Sequence, residues 1–388
     1  MSRFFDLVSK PARDMGTTNA AGTTPAALER RAHLIKLDSN ESPFGPSERA
    51  IDAMRGALSA VNSYPDDDCS QLRRKLATHH GLPPEQVLVT AGSTALLSLL
   101  CQTLLAPSLN AVTSERSFIV YSMAVQAAGA HLVEAPMRPG EDSFDLDAIL
   151  AAIDANTRIV FLANPNNPTG TVLEAPVVER FLARLPSHVV AVLDEAYYEF
   201  AVHFASLRRV IYSNSLDYVR QGASVVVLRT FSKAHGLAGL RVGYGLGPAE
   251  LLGYCARMRN TFSVSSVAQA AAMAAIGDLD HIQRVVENNA LQSRDLAQGL
   301  SALGYRVVPT SANFVFCDLG EDAAAFANRL QDEGVAVRPL GPWGAPNCIR
   351  VTIGTPEQNQ SFLQAARRID ARSPAGNLRL SPTTRSAT

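Results

Sequence analysis

Two residues of chemically reactive types stand directly after apolar, strand-like runs of the chain. Lys233 lies in RTFSKAHGLAGLRVGYG, and a lysine held in such an apolar frame becomes a neutral nucleophile toward aldehydes when it is partly desolvated. Asp194 ends the run VVAVLD, where a carboxylate needs a cationic partner because an unpaired buried charge is costly. A lysine in a surface loop and an ordinary helix cap or ion pair are the alternatives for these two residues.

Three further stretches place hydrogen-bond donors where an anion or a cofactor could bind. Ser232 and Arg241 flank the lysine, and arginine presents its donors in a fork that suits a phosphate monoester. In VLVTAGSTALL, Ser93 and Thr94 open a helix, whose N-terminus attracts anions. The segment NPNNPTG (164–170) follows the apolar run IVFLA, at the carboxyl end of a strand where ligands of α/β sheets bind. Taken alone, each of these patterns also fits a turn or a helix cap.

The combination of these features fits one cofactor. An amine, a carboxylate for a ring nitrogen and a cradle for a phosphate are what pyridoxal 5′-phosphate requires. We therefore predict that this cofactor binds through Lys233, with Asp194 facing its ring nitrogen.

An alternation of strands and helices must position these side chains. Short, continuous aliphatic runs predict strands that are buried on both faces of a mostly parallel sheet; they lie at 87–89, 159–162, 189–193 and 225–228. Helix-period segments separate them, which is typical of an α/β, doubly wound fold. After about residue 280 a long helix at 281–303 leads into shorter strands and helices, which predicts a smaller α+β domain.

The sequence predicts four divisions of the chain. Residues 1–45, rich in Ala, Thr, Pro and Gly, form an irregular N-terminal arm. Residues 46–280 form the large cofactor-binding domain, and 281–371 form the small C-terminal domain. Residues 372–388, which are small and polar, are expected to be a disordered tail.

Composition excludes several classes of protein. The 35 Lys+Arg and 36 Asp+Glu residues leave a net charge of −1, so no electrostatic footprint for nucleic acid or an anionic membrane is expected. The five cysteines form no CxxC pair or Cys/His cluster, so we predict no disulfide framework, no metal site and a reduced, cytoplasmic protein. We also predict no signal peptide and no membrane span.

Motifs distributed over nearly the whole chain resemble those of a known family. They are LDSNESPFGPS (37–47), NSYPD (62–66), RTFSKAHGLAGLRVGY (229–244) and IRVTIGT (349–355). In this order and spacing they resemble the fold-type I pyridoxal-phosphate aminotransferases, with the histidinol-phosphate aminotransferase branch the most similar. The resemblance implies the aspartate-aminotransferase-like fold.

The resemblance also implies roles around the cofactor. Lys233 matches the Schiff-base lysine and Asp194 the carboxylate that faces the pyridine nitrogen. Asn167 and Tyr197 match the pair that hydrogen-bonds the phenolic oxygen. Phe118 stands where many relatives have a tyrosine stacked on the ring, so the stacking is kept and a hydroxyl is lost. The residues that match the phosphate cradle are Ser93, Thr94, Thr230, Ser232 and Arg241.

On the substrate side, the resemblance implies two arginines. Arg350 matches the arginine that takes an α-carboxylate, and Arg338 resembles the one associated with the substrate phosphate. Asn40 lies where the N-terminal arm lines the substrate entrance. Tyr64 resembles the tyrosine that reaches the phosphate of the neighbouring subunit's cofactor, which implies a homodimer with shared active sites. His235 is either a second base or a structural histidine.

The implied activity is the exchange of an amino group between an amino acid or amine and a 2-oxo acid, with glutamate and 2-oxoglutarate as one couple. Histidinol phosphate is the leading amino donor, which places the protein in histidine biosynthesis. The arm lacks the Pro-Tyr element of several relatives, so an aromatic or specialised-metabolism substrate is the alternative. A phosphoamino-acid decarboxylase is the alternative reaction. A DNA-binding regulator and a nicotinamide dehydrogenase are disfavoured, because no helix-turn-helix pattern and no GxGxxG fingerprint is present.

Overall fold

The computed structural model describes residues 4–5, 7–15 and 33–372. Part of the predicted arm (16–32) and the predicted tail, apart from residue 372, lie outside the described residues. The α-helices in the described part are α1 (Lys10–Asp14), α2 (Glu48–Ala57), α3 (Ser70–His80), α4 (Ser93–Leu104), α5 (Val120–Ala127), α6 (Leu146–Ala151), α7 (Ala175–Leu182), α8 (Tyr198–Arg208), α9 (Ser215–Arg220), α10 (Ala249–Arg257), α11 (Ser266–Ala275), α12 (Leu279–Ser301), α13 (Ala323–Asp332) and α14 (Pro356–Arg372).

The strands form two sheets. They are β1 (Ile35–Leu37), β2 (Val87–Thr90), β3 (Asn110–Ser114), β4 (His131–Ala135), β5 (Thr157–Ala163), β6 (Val190–Asp194), β7 (Val225–Thr230), β8 (Gly243–Leu246), β9 (Arg306–Val308), β10 (Phe314–Asp318), β11 (Val335–Leu340) and β12 (Ala345–Thr352). One sheet has seven strands in the order β2-β8-β7-β6-β5-β3-β4, and the other has five in the order β1-β11-β12-β10-β9.

The seven-stranded sheet confirms the predicted α/β class. Its strands pair in parallel from β4 to β7, and β8 runs antiparallel to both of its neighbours. The aliphatic side chains of β5, β6 and β7 are almost entirely buried, because helices cover both faces of a sheet of this kind. The four strands predicted at 87–89, 159–162, 189–193 and 225–228 are β2, β5, β6 and β7.

The register of this sheet brings three strand ends together. Ala163, the last residue of β5, pairs with Asp194, the last residue of β6, and Asp194 pairs with Leu228 near the end of β7. The loop after β5, the carboxylate of β6 and the loop after β7 therefore meet at one edge of the sheet. β2 ends at the same edge, because Thr90 and Thr230 both pair with Gly243 of β8.

The five-stranded sheet contains the shorter strands that follow the long helix. α12 begins after Asp278, whose side chain accepts a hydrogen bond from the backbone N–H of His281, and it confirms the helix predicted at 281–303. β1 pairs in parallel with β11 at the edge of this sheet. The arm was predicted to be irregular, but a three-residue run is too short for its pattern to reveal a strand. The division of the chain into domains at 46–280 and 281–371 stays a prediction.

Each sheet has its own hydrophobic core. The larger cluster packs around β2, β3 and β5 to β8, and the smaller one lies between α12, α13, α14 and the five-stranded sheet. Among the described residues, no helix is both long enough and apolar enough to cross a membrane.

Candidate active site

A cavity of about 410 Å³ opens where the strand ends of the large sheet face β11 and β12. It brings together nearly all the residues that the sequence singled out. The predicted site residues that line it are Asn40, Ser93, Thr94, Phe118, Asn167, Asp194, Tyr197, Thr230, Ser232, Lys233, Arg241, Arg338 and Arg350.

Lys233 lies in the loop after β7, three residues beyond the end of the strand. Its side chain is half-buried, and Nζ donates a hydrogen bond to the carbonyl oxygen of Ser39 over 3.3 Å. Burial, and to a smaller extent the charge of Arg350, lowers the pKa of this amine to about 7. A large fraction of the amine is therefore neutral and nucleophilic near neutral pH.

Asp194 is buried at the end of β6 and held by two donors. Tyr121 Oη donates to Oδ2 over 3.0 Å, and the backbone N–H of Ala196 donates to Oδ1 over 3.2 Å. Burial raises the pKa of Asp194 to about 6, although the hydrogen bond from Tyr121 acts in the opposite direction. The carboxylate is thus ionised at neutral pH but poorly solvated, and a protonated ring nitrogen would be a favourable partner.

The anion cradle forms where α4 begins against the loop after β7. Arg241 Nη1 donates to Ser232 Oγ over 3.3 Å, and Thr230 Oγ1 donates to the same oxygen over 3.0 Å. Glycine is required at position 92, which has φ +81° and where a Cβ would lie 2.6 Å from Arg241 Nη2. The guanidinium therefore lies against the helix N-terminus, and the two together suit a phosphate group.

Tyr197 and Asn167 lie on the side of the cavity near the second sheet. Tyr197 Oη accepts a hydrogen bond from Asn40 Nδ2 over 2.9 Å, and burial raises the pKa of the phenol, so its own proton stays free to be donated. Asn167 Oδ1 accepts from Arg350 Nη1 over 2.6 Å. This contact leaves the amide NH₂ of Asn167 as the group that can donate to a ligand.

The two arginines are neighbours on antiparallel strands, because Arg338 pairs with Arg350 between β11 and β12. Arg350 is only 5% exposed and donates to the carbonyl oxygen of Asp38 over 3.0 Å. Burial lowers its pKa to about 10, so it stays charged at neutral pH. Arg338 has a side chain 38% exposed, and its Nε donates to the same carbonyl over 3.2 Å. Two cationic groups thus stand side by side, one deep and one nearer to solvent.

Two residues discussed from the sequence do not line the cavity. Tyr64 is 82% exposed and stacks on Phe262, with ring centroids 4.5 Å apart. His235 is a buried residue of the loop that carries Lys233, and its Nε2 lies 3.5 Å from Glu199 Oε1. The contact with Glu199 favours a structural role for His235 over that of a second base.

Sequence reasoning missed several residues that shape the cavity. Tyr121 lies in the apolar segment FIVYSMAV, where an aromatic residue is expected in the core. Ser39 and Glu41 belong to the arm, where no local pattern indicated a contact with the lysine loop. Trp343 lies in a single 3₁₀ turn between β11 and β12 and lines the cavity beside the two arginines; its position in a hairpin turn gave no sign of this.

The donor set and the shape of the site fit pyridoxal 5′-phosphate. The cradle at Ser93, Ser232 and Arg241 places hydroxyl groups and a guanidinium around one point, and the absence of a Cβ at position 92 lets the guanidinium lie against the start of α4. The buried carboxylate of Asp194 requires a cation, and the lowered pKa of Lys233 suits covalent attachment to an aldehyde. The fold and this site define a pyridoxal-phosphate enzyme of the aspartate-aminotransferase-like class.

Comparisons with known proteins agree with this class. Residues 32–365 match the family described as aminotransferase class I and II, and the chain belongs to this family. Histidinol-phosphate aminotransferase 2 of Pseudomonas aeruginosa is 44% identical over 344 residues, which cover 89% of each chain.

Solved structures show the same similarity. The crystal structure of histidinol-phosphate aminotransferase from Sinorhizobium meliloti in complex with pyridoxal-5′-phosphate has a TM-score of 0.83 at 29% identity, covering 94% of this chain and 99% of that one. Aspartate aminotransferase from Thermus thermophilus with maleate has a TM-score of 0.81 at 26% identity, covering 93% and 99%.

Proposed function

We propose that this aminotransferase uses pyridoxal 5′-phosphate to move an amino group from histidinol phosphate to 2-oxoglutarate, a step of histidine biosynthesis. The observation that carries the proposal is a single cavity that combines an amine of lowered pKa, a buried carboxylate, an anion cradle and two arginines. The curated relative at 44% identity is named for the same substrate.

Different residues of the cavity would bind different parts of the cofactor. Pyridoxal phosphate supplies an aldehyde that links to amines and a ring that accepts the electron pair left when the α-proton departs. Ser93, Thr94, Thr230, Ser232 and Arg241 would hold the phosphate. Phe118 would face the ring, and Tyr197 and Asn167 would donate to its phenolic oxygen.

Lys233 and Asp194 carry the proton chemistry. With the cofactor and an amino donor bound, Lys233 Nζ would be a free amine that takes up the proton leaving the α-carbon of the substrate and holds it at Nζ until it is given back. Its low pKa suits this task, because a group that titrates near the working pH both accepts and releases a proton readily. Asp194 would stabilise a positive charge on the ring nitrogen, and Tyr121 and the N–H of Ala196 hold the carboxylate in place.

The two arginines explain how one site takes different anionic substrates. Arg350, buried next to Asn167, is placed for a carboxylate on the amine-bearing carbon. Arg338 adds a second cation nearer to the opening. Glutamate brings two carboxylates and histidinol phosphate brings one phosphate, and both kinds of anion meet a guanidinium here.

We further propose a homodimer located in the cytoplasm. Tyr64 projects from the surface rather than into the cavity of its own chain, which suits a contribution to the site of a second copy. The five cysteines are free and buried, as is usual for proteins of a reducing compartment.

The direct test is a panel of amino donors. We expect the purified protein loaded with pyridoxal phosphate to form glutamate from 2-oxoglutarate with histidinol phosphate, and far more slowly with phenylalanine or tyrosine. Lys233→Ala should lower kcat at least about 1,000-fold, because it removes the group that moves the proton.

Each alternative has its own signature in this assay. Turnover of phenylalanine or tyrosine without histidinol phosphate would replace the proposed substrate by an aromatic one. Release of CO₂ without glutamate would show a decarboxylase. Unchanged turnover by Lys233→Ala would remove the proposed mechanism altogether.

A further inference from the structure

Trp343 stands at the tip of the hairpin that carries the two arginines. It ends a 3₁₀ turn (Gly341–Trp343) between β11 and β12. The first cross-strand pair below this turn is Leu340 with Ala345. Arg338 pairs with Arg350 further along the same strands. The side chains of Trp343, Arg338 and Arg350 all line the cavity. Trp343 lies at the hairpin tip, beyond the level at which the two arginines pair.

The indole N–H of Trp343 has no hydrogen-bond partner among the described residues, although the atom is shielded from solvent. A buried tryptophan N–H usually has a partner, since leaving a donor unpaired costs free energy. The apolar part of the ring has apolar neighbours, because it packs on the cluster that contains Phe316, Leu340 and Cys348. Of the buried donors that lack a partner in the described residues, only those of Trp343 and Arg350 belong to residues that line this cavity.

A phosphate monoester is the anion that needs a donor at this place. A carboxylate on the amine-bearing carbon is short and is satisfied by one deep guanidinium. A phosphate on a CH₂–O linker reaches further out, carries close to two negative charges and has three terminal oxygens to satisfy. Trp343, at the hairpin tip beyond the paired arginines, offers a further donor on the lining of the same cavity.

We propose that Trp343 is a specificity-determining residue whose indole N–H donates to the phosphate of a phosphomonoester amino donor and contributes little to the binding of glutamate. This inference rests on the proposed function and names the residue that separates its two substrates.

The test compares KM values for the two donors in the Trp343→Phe variant. Phenylalanine keeps an aromatic ring on the apolar cluster and removes the donor. We expect KM for histidinol phosphate to rise about tenfold, as for the loss of a hydrogen bond to a charged group. KM for glutamate and kcat for both donors should stay within about twofold.

A matched control removes a different unpartnered donor. Tyr218 Oη is also buried without a partner in the described structure, but Tyr218 does not line this cavity. Tyr218→Phe should leave both KM values unchanged. A rise of KM for both donors in Trp343→Phe would show a general packing role, and no rise for either would show that the N–H is not used; both results overturn the proposal.

A second measurement needs no variant. Trp343 is the only tryptophan of the chain, so tryptophan fluorescence reports on this residue alone. Adding glycerol phosphate, a phosphomonoester without an amine, to the loaded enzyme should change the emission, whereas acetate should not. An unchanged emission at concentrations of glycerol phosphate that inhibit turnover would overturn the proposal. Failure of the wild-type protein to use histidinol phosphate would instead count against the proposed function.

Discussion

The amine of Lys233 owes its reactivity to its surroundings. Burial is the main cause of its lowered pKa, and the nearby charges of Arg350 and Arg241 act in the same direction. Glu41 and Asp194 oppose them. The balance leaves the amine close to half-protonated near pH 7, a state that an exposed lysine reaches only at much higher pH.

This balance of charges and burial predicts how the attachment of pyridoxal phosphate to Lys233 depends on pH in the cofactor-free protein. The neutral amine is the reactive form, so the rate of attachment of pyridoxal phosphate to Lys233 should rise about tenfold per pH unit below 7 and level off above it. The measurement is reduction with borohydride at each pH, followed by peptide mass spectrometry.

The chain supplies its own comparison for this experiment. It has four lysines, and Lys36 is exposed on β1. Superimposable pH profiles for Lys233 and Lys36 would contradict the environment described for Lys233. Replacing Arg350 by methionine should move the midpoint for Lys233 to higher pH, because this guanidinium is the strongest of the charges that lower the pKa.

At the scale of elements, the anion cradle depends on how closely α4 approaches the sheet. Gly243, the first residue of β8, pairs with Thr90 and Thr230, which end β2 and β7. A Cβ at position 243 would lie 2.5 Å from the backbone nitrogen of Ser93. Backbone atoms cannot move aside as a flexible side chain does, so only glycine allows the helix N-terminus to reach this position.

We therefore expect Gly243→Ala to push α4 away from the cradle. The overpacking should lower the free energy of unfolding by about 1–3 kcal/mol, and the affinity for pyridoxal phosphate should fall at least about tenfold, because the donors at the helix start lose their alignment. Thermal unfolding and titration of the cofactor-free protein measure the two effects.

Gly239→Ala is the matched control for this substitution. Position 239 lies in the same glycine-rich segment, but a Cβ there would meet nothing within 4 Å. This variant should bind the cofactor as the wild type does. If the two alanine variants bind pyridoxal phosphate equally well, the close approach of α4 does not control the cradle.

The elements show which parts of the site a sequence can reveal. Asp194 and Lys233 were predictable, because Asp194 ends one continuous aliphatic run, Lys233 follows another within a few residues, and the ends of parallel strands meet at one edge. The contact of Asn40 with Thr352 joins residues 312 positions apart, and no local pattern encodes it. Tyr121 was missed because an aromatic residue in an apolar segment is as typical of a core as of a site, and Trp343 was missed because its hairpin turn carries no pattern that indicates a site.

At the scale of the whole molecule, a buried carboxylate connects the two parts of the chain that border the cavity. Asp142 is buried and forms ion pairs with two arginines. Its Oδ1 lies 3.0 Å from Arg116 Nη1, and its Oδ2 lies 2.7 Å from Arg306 Nη1. Arg116 precedes the segment that carries Phe118, and Arg306 begins β9 of the five-stranded sheet. The carboxylate of Asp142 therefore links the wall of the cavity near Phe118 to the sheet that carries Arg338 and Arg350.

One predicted site residue remains outside this arrangement. Tyr64 stacks on Phe262, and the backbone N–H of Phe262 donates to Asp67. Asp67 also lies 3.3 Å from Arg259 Nη2. The ring is thus fixed although it is exposed, and a ring that is held in place at the surface is well suited to insert into the site of a second copy.

Two variants, assayed at a cofactor concentration at which each alone is nearly inactive, test whether Tyr64 acts on the second copy. Lys233→Ala removes the amine, and Tyr64→Ala should weaken cofactor binding in the neighbouring site. In a mixed dimer, the subunit that keeps Lys233 receives an intact Tyr64 from its partner, so one of the two sites is native. After subunit exchange in an equal mixture, we expect about a quarter of the wild-type activity, because half of randomly formed dimers are mixed. Activity no higher than the average of the separate variants would place Tyr64 outside the partner's site, because an action within its own chain leaves every mixed dimer with two damaged sites.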